Sequence, residues 1–264
     1  MTLQPPERAL LHLAESLNTH LPLGPKDERV ETSEYVVWFG SDPHHPAFTV
    51  VQRLRLAEDR VDAAVAEIRA LVAARGRSAS TWEVGPSATP GDLAARLLAR
   101  GFAPFEEPTA TGMILRQPLP DDASAISTRR AESVDDYVAA YTILHRVFGE
   151  RTESDDERRA RAARDRERHA ASEGSLHLGL LDGRPVAAAS SIFVDGAVVL
   201  AGGATLEEAR GKGAYRALVR ARYDEAVKRG TPTLVIQAGA MSRPILLRLG
   251  FEAVAEIRIF TPPS

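Results

Sequence analysis

Two stretches of this chain pass through the same succession of signals, and that repetition narrows the folds open to it. Apolar periodicity predicts a helix from Val61 to Arg75 that stops at Gly76. The strand Thr81-Trp82-Glu83-Val84 follows. A helix from Gly91 to Ala99 leads into Arg100-Gly101-Phe102, and a last strand covers Gly112 to Leu115. Further on, a helix from Ala214 to Arg229 stops at Gly230 and the strand Thr233 to Gln237 follows. A short helix, Ser242 to Arg248, leads into Leu249-Gly250-Phe251 and a last strand from Ala253 to Phe260. Glycine after each first helix is the residue expected at a left-handed cap. Helix–glycine–strand is a common succession, so one match leaves chance open. The shared order through the Gly-Phe pair predicts a structural duplication.

Between the copies lies Gln117-Pro118-Leu119-Pro120-Asp121-Asp122-Ala123-Ser124. Its prolines and aspartates disfavour a helix interior or a central strand. The expected layout is a first domain over 1–118, a linker over 119–125 and a second domain over 126–264. The second domain opens on a short strand from Ile126 to Arg130. Ser133 then caps a helix whose apolar face is Val134, Tyr137, Val138, Tyr141, Leu144 and Phe148. Ser154-Asp155-Asp156-Glu157 is a capping box for a second helix. That helix, Arg158 to Ala171, has only alanines between its charges and belongs on the surface. Strands are expected at Leu176–Leu181, Pro185–Val194 and Val198–Leu206, divided by the turn signals Asp182-Gly183 and Asp195-Gly196. The fold class is therefore α/β, or α+β with a mixed sheet and a largely antiparallel start.

The chain has 264 residues, no cysteine and a formal net charge of −3. Disulfides, thiolate metal sites and a cysteine nucleophile are excluded. Nothing in the charge points to nucleic acid or membrane. The first residues lack the basic and apolar stretches of a signal peptide, and no apolar run approaches the ~18 residues of a membrane span. The expectation is a cytoplasmic protein without a metal; a homodimer is left open.

The segment that carries chemistry is Val198 to Arg216. Two glycines, Gly202 and Gly203, mark a strand that bulges or is closely approached. Arg210-Gly211-Lys212-Gly213-Ala214 then feeds a helix with Tyr215, Leu218, Val219 and Tyr223 on one face. A glycine-rich turn at a helix N-terminus presents amide donors that suit a phosphate, and Arg210, Lys212 and Arg216 add positive charge. A tight turn with solvated basic residues is the competing reading. The P-loop and dinucleotide fingerprints both fail, because no Ser or Thr follows Lys212 and a third glycine is missing.

This stretch resembles the acyl-CoA site of the GCN5-related N-acetyltransferase (GNAT) superfamily, whose motif is Arg/Gln-x-x-Gly-x-Gly/Ala. Arg210 and Gly213 match; Tyr215 stands where Gly or Ala is usual. The resemblance covers most of 126–260 and implies two GNAT-like domains in tandem, each a mixed, mostly antiparallel sheet flanked by helices. It implies that Gly203, Ala204, Thr205 and Leu206 line the pantetheine arm, and that Arg210 to Arg216, including Gly211, Lys212, Gly213, Ala214 and Tyr215, hold the pyrophosphate of acetyl-CoA. The implied activity is acyl transfer to an amine; a non-catalytic acyl-CoA-binding module is the alternative. The tyrosine that protonates the leaving thiolate in many members is replaced here by Leu246. Glu150 and His145 are candidate bases, and Ser242 a candidate hydrogen-bond donor, each with a structural role as the competing reading. In the first half the strand from Phe48 to Leu56 runs through Ala57-Glu58-Asp59-Arg60 into a helix without glycine. Two acids there would repel a phosphate, so that half reads as a copy that binds no CoA.

Overall fold

The computed structural model describes residues 7–120, 126–149, 153–171 and 173–263. In chain order the elements of the first half are α1 (Glu7–Glu15), β1 (Glu28–Glu31), β2 (Val36–Phe39), β3 (Thr49–Gln52), α2 (Val61–Ala73), β4 (Thr81–Val84), α3 (Leu93–Ala99) and β5 (Ala103–Leu115). The second half continues with β6 (Ser127–Arg130), α4 (Val134–Phe148), α5 (Asp155–Ala170), β7 (Gly174–Leu181), β8 (Arg184–Val194) and β9 (Ala197–Thr205). It closes with α6 (Ala214–Lys228), β10 (Leu234–Ala238), α7 (Arg243–Arg248) and β11 (Glu252–Thr261).

Contacts gather these elements into two compact units that are not contiguous in sequence. The first reaches to Ile114 and takes in Gln237–Leu247 and the segment from Glu252 onward; the second holds Leu115–Ile236 and Arg248–Phe251. Within the first, strands lie in the order β1-β2-β3-β4-β11-β5. All its neighbours are antiparallel except β3 and β4, which run parallel. Within the second the order is β10-β9-β8-β7-β6, antiparallel except for β9 and β10.

Parallel neighbours need a crossover, and a helix supplies it in each unit. Helix α2 joins β3 to β4, which pair at Val50↔Thr81 and Val51↔Trp82. Helix α6 joins β9 to β10, which pair at Val198↔Leu234 and Val199↔Val235. The duplication expected from the sequence is thus present in the backbone.

The first unit buries Trp82, Ile68, Leu97, Phe102 and Phe260 together. Trp82 meets Phe102 edge to face at 5.1 Å and lies opposite Phe260 in the β4–β11 register. The last strand of the chain therefore completes the core of the first unit. Sequence alternation alone could not choose that partner, because the pairing spans most of the chain. Strand β3 also stops earlier than expected: Arg53 adopts φ 51° and turns the chain out of the ladder after Gln52. Conversely, β5 begins at Ala103, earlier than Gly112, because it pairs with β11 along its length.

In the second unit, α4 and α5 pack on one face of the sheet and α6 on the other. The hairpin signals act as expected: Asp182 and Gly183 take φ 50° and 76°, which the turn between β7 and β8 needs. Helix α5 buries only Ala162 and is the surface helix its composition predicts. Helix α4 starts on a full capping box of Ser133 and Asp136. Arg129 beside Asp136 holds that carboxyl well below the usual range. Replacing Ser133 with Ala should lower stability by about 1 kcal/mol in urea denaturation. Among the described residues no helix is long and apolar enough to cross a membrane.

Candidate functional site

Strand β9 carries the site. Its ladder to β10 comprises only Val198 and Val199. From Leu200 to Thr205 it continues along β8 alone among the described residues. The β8 register jumps between Ala188↔Ala204 and Ser190↔Ala201, so Gly202 and Gly203 together face Ala189 in a bulge. Gly202 takes φ 48° there. A Cβ on Gly203 would sit 3.2 Å from the Tyr215 ring. The missing side chain at Gly203 therefore seats the tyrosine that departs from the family motif.

A short turn, Glu207–Ala209, follows β9. Ala209 and Ala214 are buried with Ile126, Ala187, Ala217 and Leu218. These two anchors pin a surface loop between them, in which Arg210, Gly211 and Lys212 are exposed. Gly211 and Gly213 take φ 75° and 86°, the left-handed region that side chains resist. Gly213 is the N-cap of α6 and has no side chain to cap it. An uncapped helix N-terminus of this kind, with its dipole and first-turn amides, suits an anion. The side chains of Arg210 and Lys212 make no hydrogen bond or ion pair with any described residue. One turn before the loop, Thr205 Oγ1 is buried and has no partner. A pyrophosphate at the amides and a polar chain along β9 would answer both features.

Arg222 was not singled out by the sequence reading. It is buried on the sheet side of α6, donates from Nε to Leu218 O at 3.1 Å and from Nη1 to Ser190 O at 3.2 Å. It clamps β8 beside the bulge, and burial lowers its pKa to about 10. The available signal was an arginine seven residues after Tyr215, on the apolar face of α6.

The corresponding turn of the first unit is built differently. Ala57 leads through Glu58-Asp59-Arg60 into α2 without a glycine. Glu58 and Asp59 are exposed, and Arg60 is already held by Glu34 and Glu67. Just past the paired residues of β3 and β4, Gln52 donates to Glu83. Gln237 also bonds Glu83 and donates from Nε2 to Glu15 O at 3.0 Å. Burial pushes the Glu83 carboxyl up to about 7 against those bonds. Side chains thus fill the ends of these strands.

The remaining candidates are dispersed. His145 sits in the seam of α4 and α5, where its Nε2 accepts from Arg161 at 2.9 Å and lies 3.7 Å from Glu153. Arg161 also covers the Tyr141 ring at 3.8 Å. Ser242 donates to Gly239 O at 3.3 Å just before α7. Leu246 is fully buried. Glu208 pairs with Arg146 on the surface. Glu150 lies outside the described residues. Among the first-half histidines, His45 Nδ1 accepts from Ala47 N and caps a short turn.

No family model matches the sequence, and no curated protein matches it. Solved structures do. A GCN5-related N-acetyltransferase from Kribbella flavida is 18% identical, with a TM-score of 0.70 over 100% of this chain and 97% of that one. A tandem GNAT protein from the clavulanic acid biosynthesis pathway is 16% identical, with a TM-score of 0.62 over 99% and 98%. A GCN5-related N-acetyltransferase from Sphaerobacter thermophilus is 17% identical, with a TM-score of 0.63 over 88% and 81%. Each unit has one parallel crossover, and the first two of these structures match the chain over nearly its whole length: this protein has the fold of the GCN5-related N-acetyltransferases, in its tandem form.

Proposed function

We propose that the second unit binds acetyl-CoA or a close acyl-CoA and transfers the acyl group to an amine. The observation that carries this reading is the loop of Arg210 to Gly213, uncapped at α6 and one short turn after a bulged strand. The amides of the loop and first turn, with Arg210, Lys212 and Arg216, hold the pyrophosphate. The backbone of Gly203, Ala204, Thr205 and Leu206 pairs with the pantetheine arm. CoA supplies the thioester; the protein supplies the donors that bind and orient it. The first unit, with two acids in its turn and filled strand ends, takes no CoA.

A second reading is a non-catalytic acyl-CoA-binding module. Leu246 favours it, since a buried leucine there can donate no proton to a thiolate. His145 contributes no free base on the Arg161 side, where its lone pair is already used. Release of free thiol from acetyl-CoA across a panel of amines separates the readings. Amine-dependent release is the expected result for the transferase. Saturable CoA binding without release on any amine would assign the module.

A further inference from the structure

We propose that the first unit carries a binding site for a small zwitterionic amine of about dipeptide size. A cavity of about 520 Å³ opens on this unit, with Arg243, Glu256, Thr109 and Thr111 in its polar wall and Ala238 and Val254 in its apolar wall. Thr111 and Glu256 are register partners on β5 and β11, so their side chains leave the same face of the sheet. Thr109, two residues along β5, joins them. Arg243 enters from the first residue of α7.

None of these four side chains makes a hydrogen bond or ion pair with a described residue, nor does Arg243 meet Glu256. Elsewhere in this unit arginines are tied to acids: Arg60 to Glu34 and Glu67, Arg75 to Glu28, Arg100 to Asp62. The cavity wall instead holds one unmatched positive and one unmatched negative group, with two unused hydroxyls beside the carboxylate.

Those groups select the ligand. Guanidinium takes a carboxylate on two parallel N–H bonds, and Glu256 takes an ammonium. The threonines suit a peptide group between them, and the alanine and valine surfaces suit modest apolar side chains. A polyanion such as a nucleotide is disfavoured by Glu256. The volume lies in the range of about 300–1,000 Å³ usual for small-molecule sites and would leave a single small amino acid loosely held. The site belongs to the unit without the glycine loop, and it does not rest on the acyl-transfer reading.

The test is calorimetry on the intact chain with leucyl-leucine, its C-terminal amide and its N-acetyl form. Leucyl-leucine should bind saturably, and each blocked form about tenfold or more weakly. Arg243→Ala should bind the dipeptide and its amide alike; Glu256→Gln should bind the dipeptide and its N-acetyl form alike. Both side chains are exposed and serve no internal contact, so the folds should persist, and unchanged CoA affinity in both variants isolates this site from the loop. No saturable heat with leucyl-leucine, equal binding of all three forms, or unchanged affinity in both variants would overturn the proposal.

Discussion

Replacing Gly213 with Val should weaken acetyl-CoA binding by about 100-fold or more, equal to about 2.7 kcal/mol or more. Gly213 holds φ 86° at the N-cap of α6. A non-glycine residue there costs about 1–2 kcal/mol, and a β-branched one is a stronger outlier. If the loop keeps its shape, the new side chain intrudes where the pyrophosphate would approach. If the loop relaxes, the amides lose their common aim, and each charge-assisted bond lost is worth about 1.5–3 kcal/mol. Either route removes the cradle. The fold should persist at a cost of about 2 kcal/mol in stability, since the buried anchors Ala209 and Ala214 are untouched. Should the variant unfold, Arg210→Glu with Lys212→Glu tests the same site from exposed side chains. That pair should weaken binding more at low salt than at high salt.

The second large effect concerns the first unit and its pH dependence. Glu83 has a pKa of about 7 in the folded chain, raised chiefly by burial, against 4.5 for an ordinary glutamate. Below pH 4.5 both folded and unfolded states hold the proton, and ionisation makes no difference. As pH rises from 4.5 to about 7 the unfolded chain releases its proton first, so stability falls across that window. Above it the loss is complete, about 3 kcal/mol at about 1.4 kcal/mol for each pH unit. Glu83→Gln removes the ionisation and keeps an acceptor for Gln52, whose own Oε1 is buried without a partner. The variant should match the parent near pH 4.5 and exceed it by about 3 kcal/mol at pH 8. Both tryptophans, Trp38 and Trp82, lie in the first unit, so their fluorescence in urea follows the relevant transition. Equal stabilities at pH 8, or a parent more stable than the variant, would show that Glu83 is ionised at no cost.

What was legible in the sequence was local. Glycines at Gly211 and Gly213 announce a tight turn into a helix, and Arg210 and Lys212 announce its charge; neither inference needs a distant partner. The repeated helix–strand order announced the duplication for the same reason, though not the parallel pairing of β3 with β4 and of β9 with β10. What was not legible depends on residues far apart in sequence. The pairing of β11 with β4 and β5 joins residues near 260 to residues near 82 and 104. Alternation in β11 fixes its faces but not its neighbours. The cavity of Arg243, Glu256 and the two threonines draws on three segments and carried no motif. Arg222 escaped because a charged residue on an apolar helix face reads as an exception to burial. It is accommodated by two backbone carbonyls, which no sequence pattern displays. Tyr215 read as a departure from the motif, whereas its partner Gly203 lies on the neighbouring strand and removes the clash.

Calorimetric titration of acetyl-CoA into the intact chain tests the central claim most directly. Two copies of one fold are present, and only one has the glycine loop. Saturation at one equivalent per chain, abolished by Gly213→Val, is the predicted result. Two equivalents per chain, no saturable heat, or one equivalent that survives Gly213→Val unchanged would contradict it.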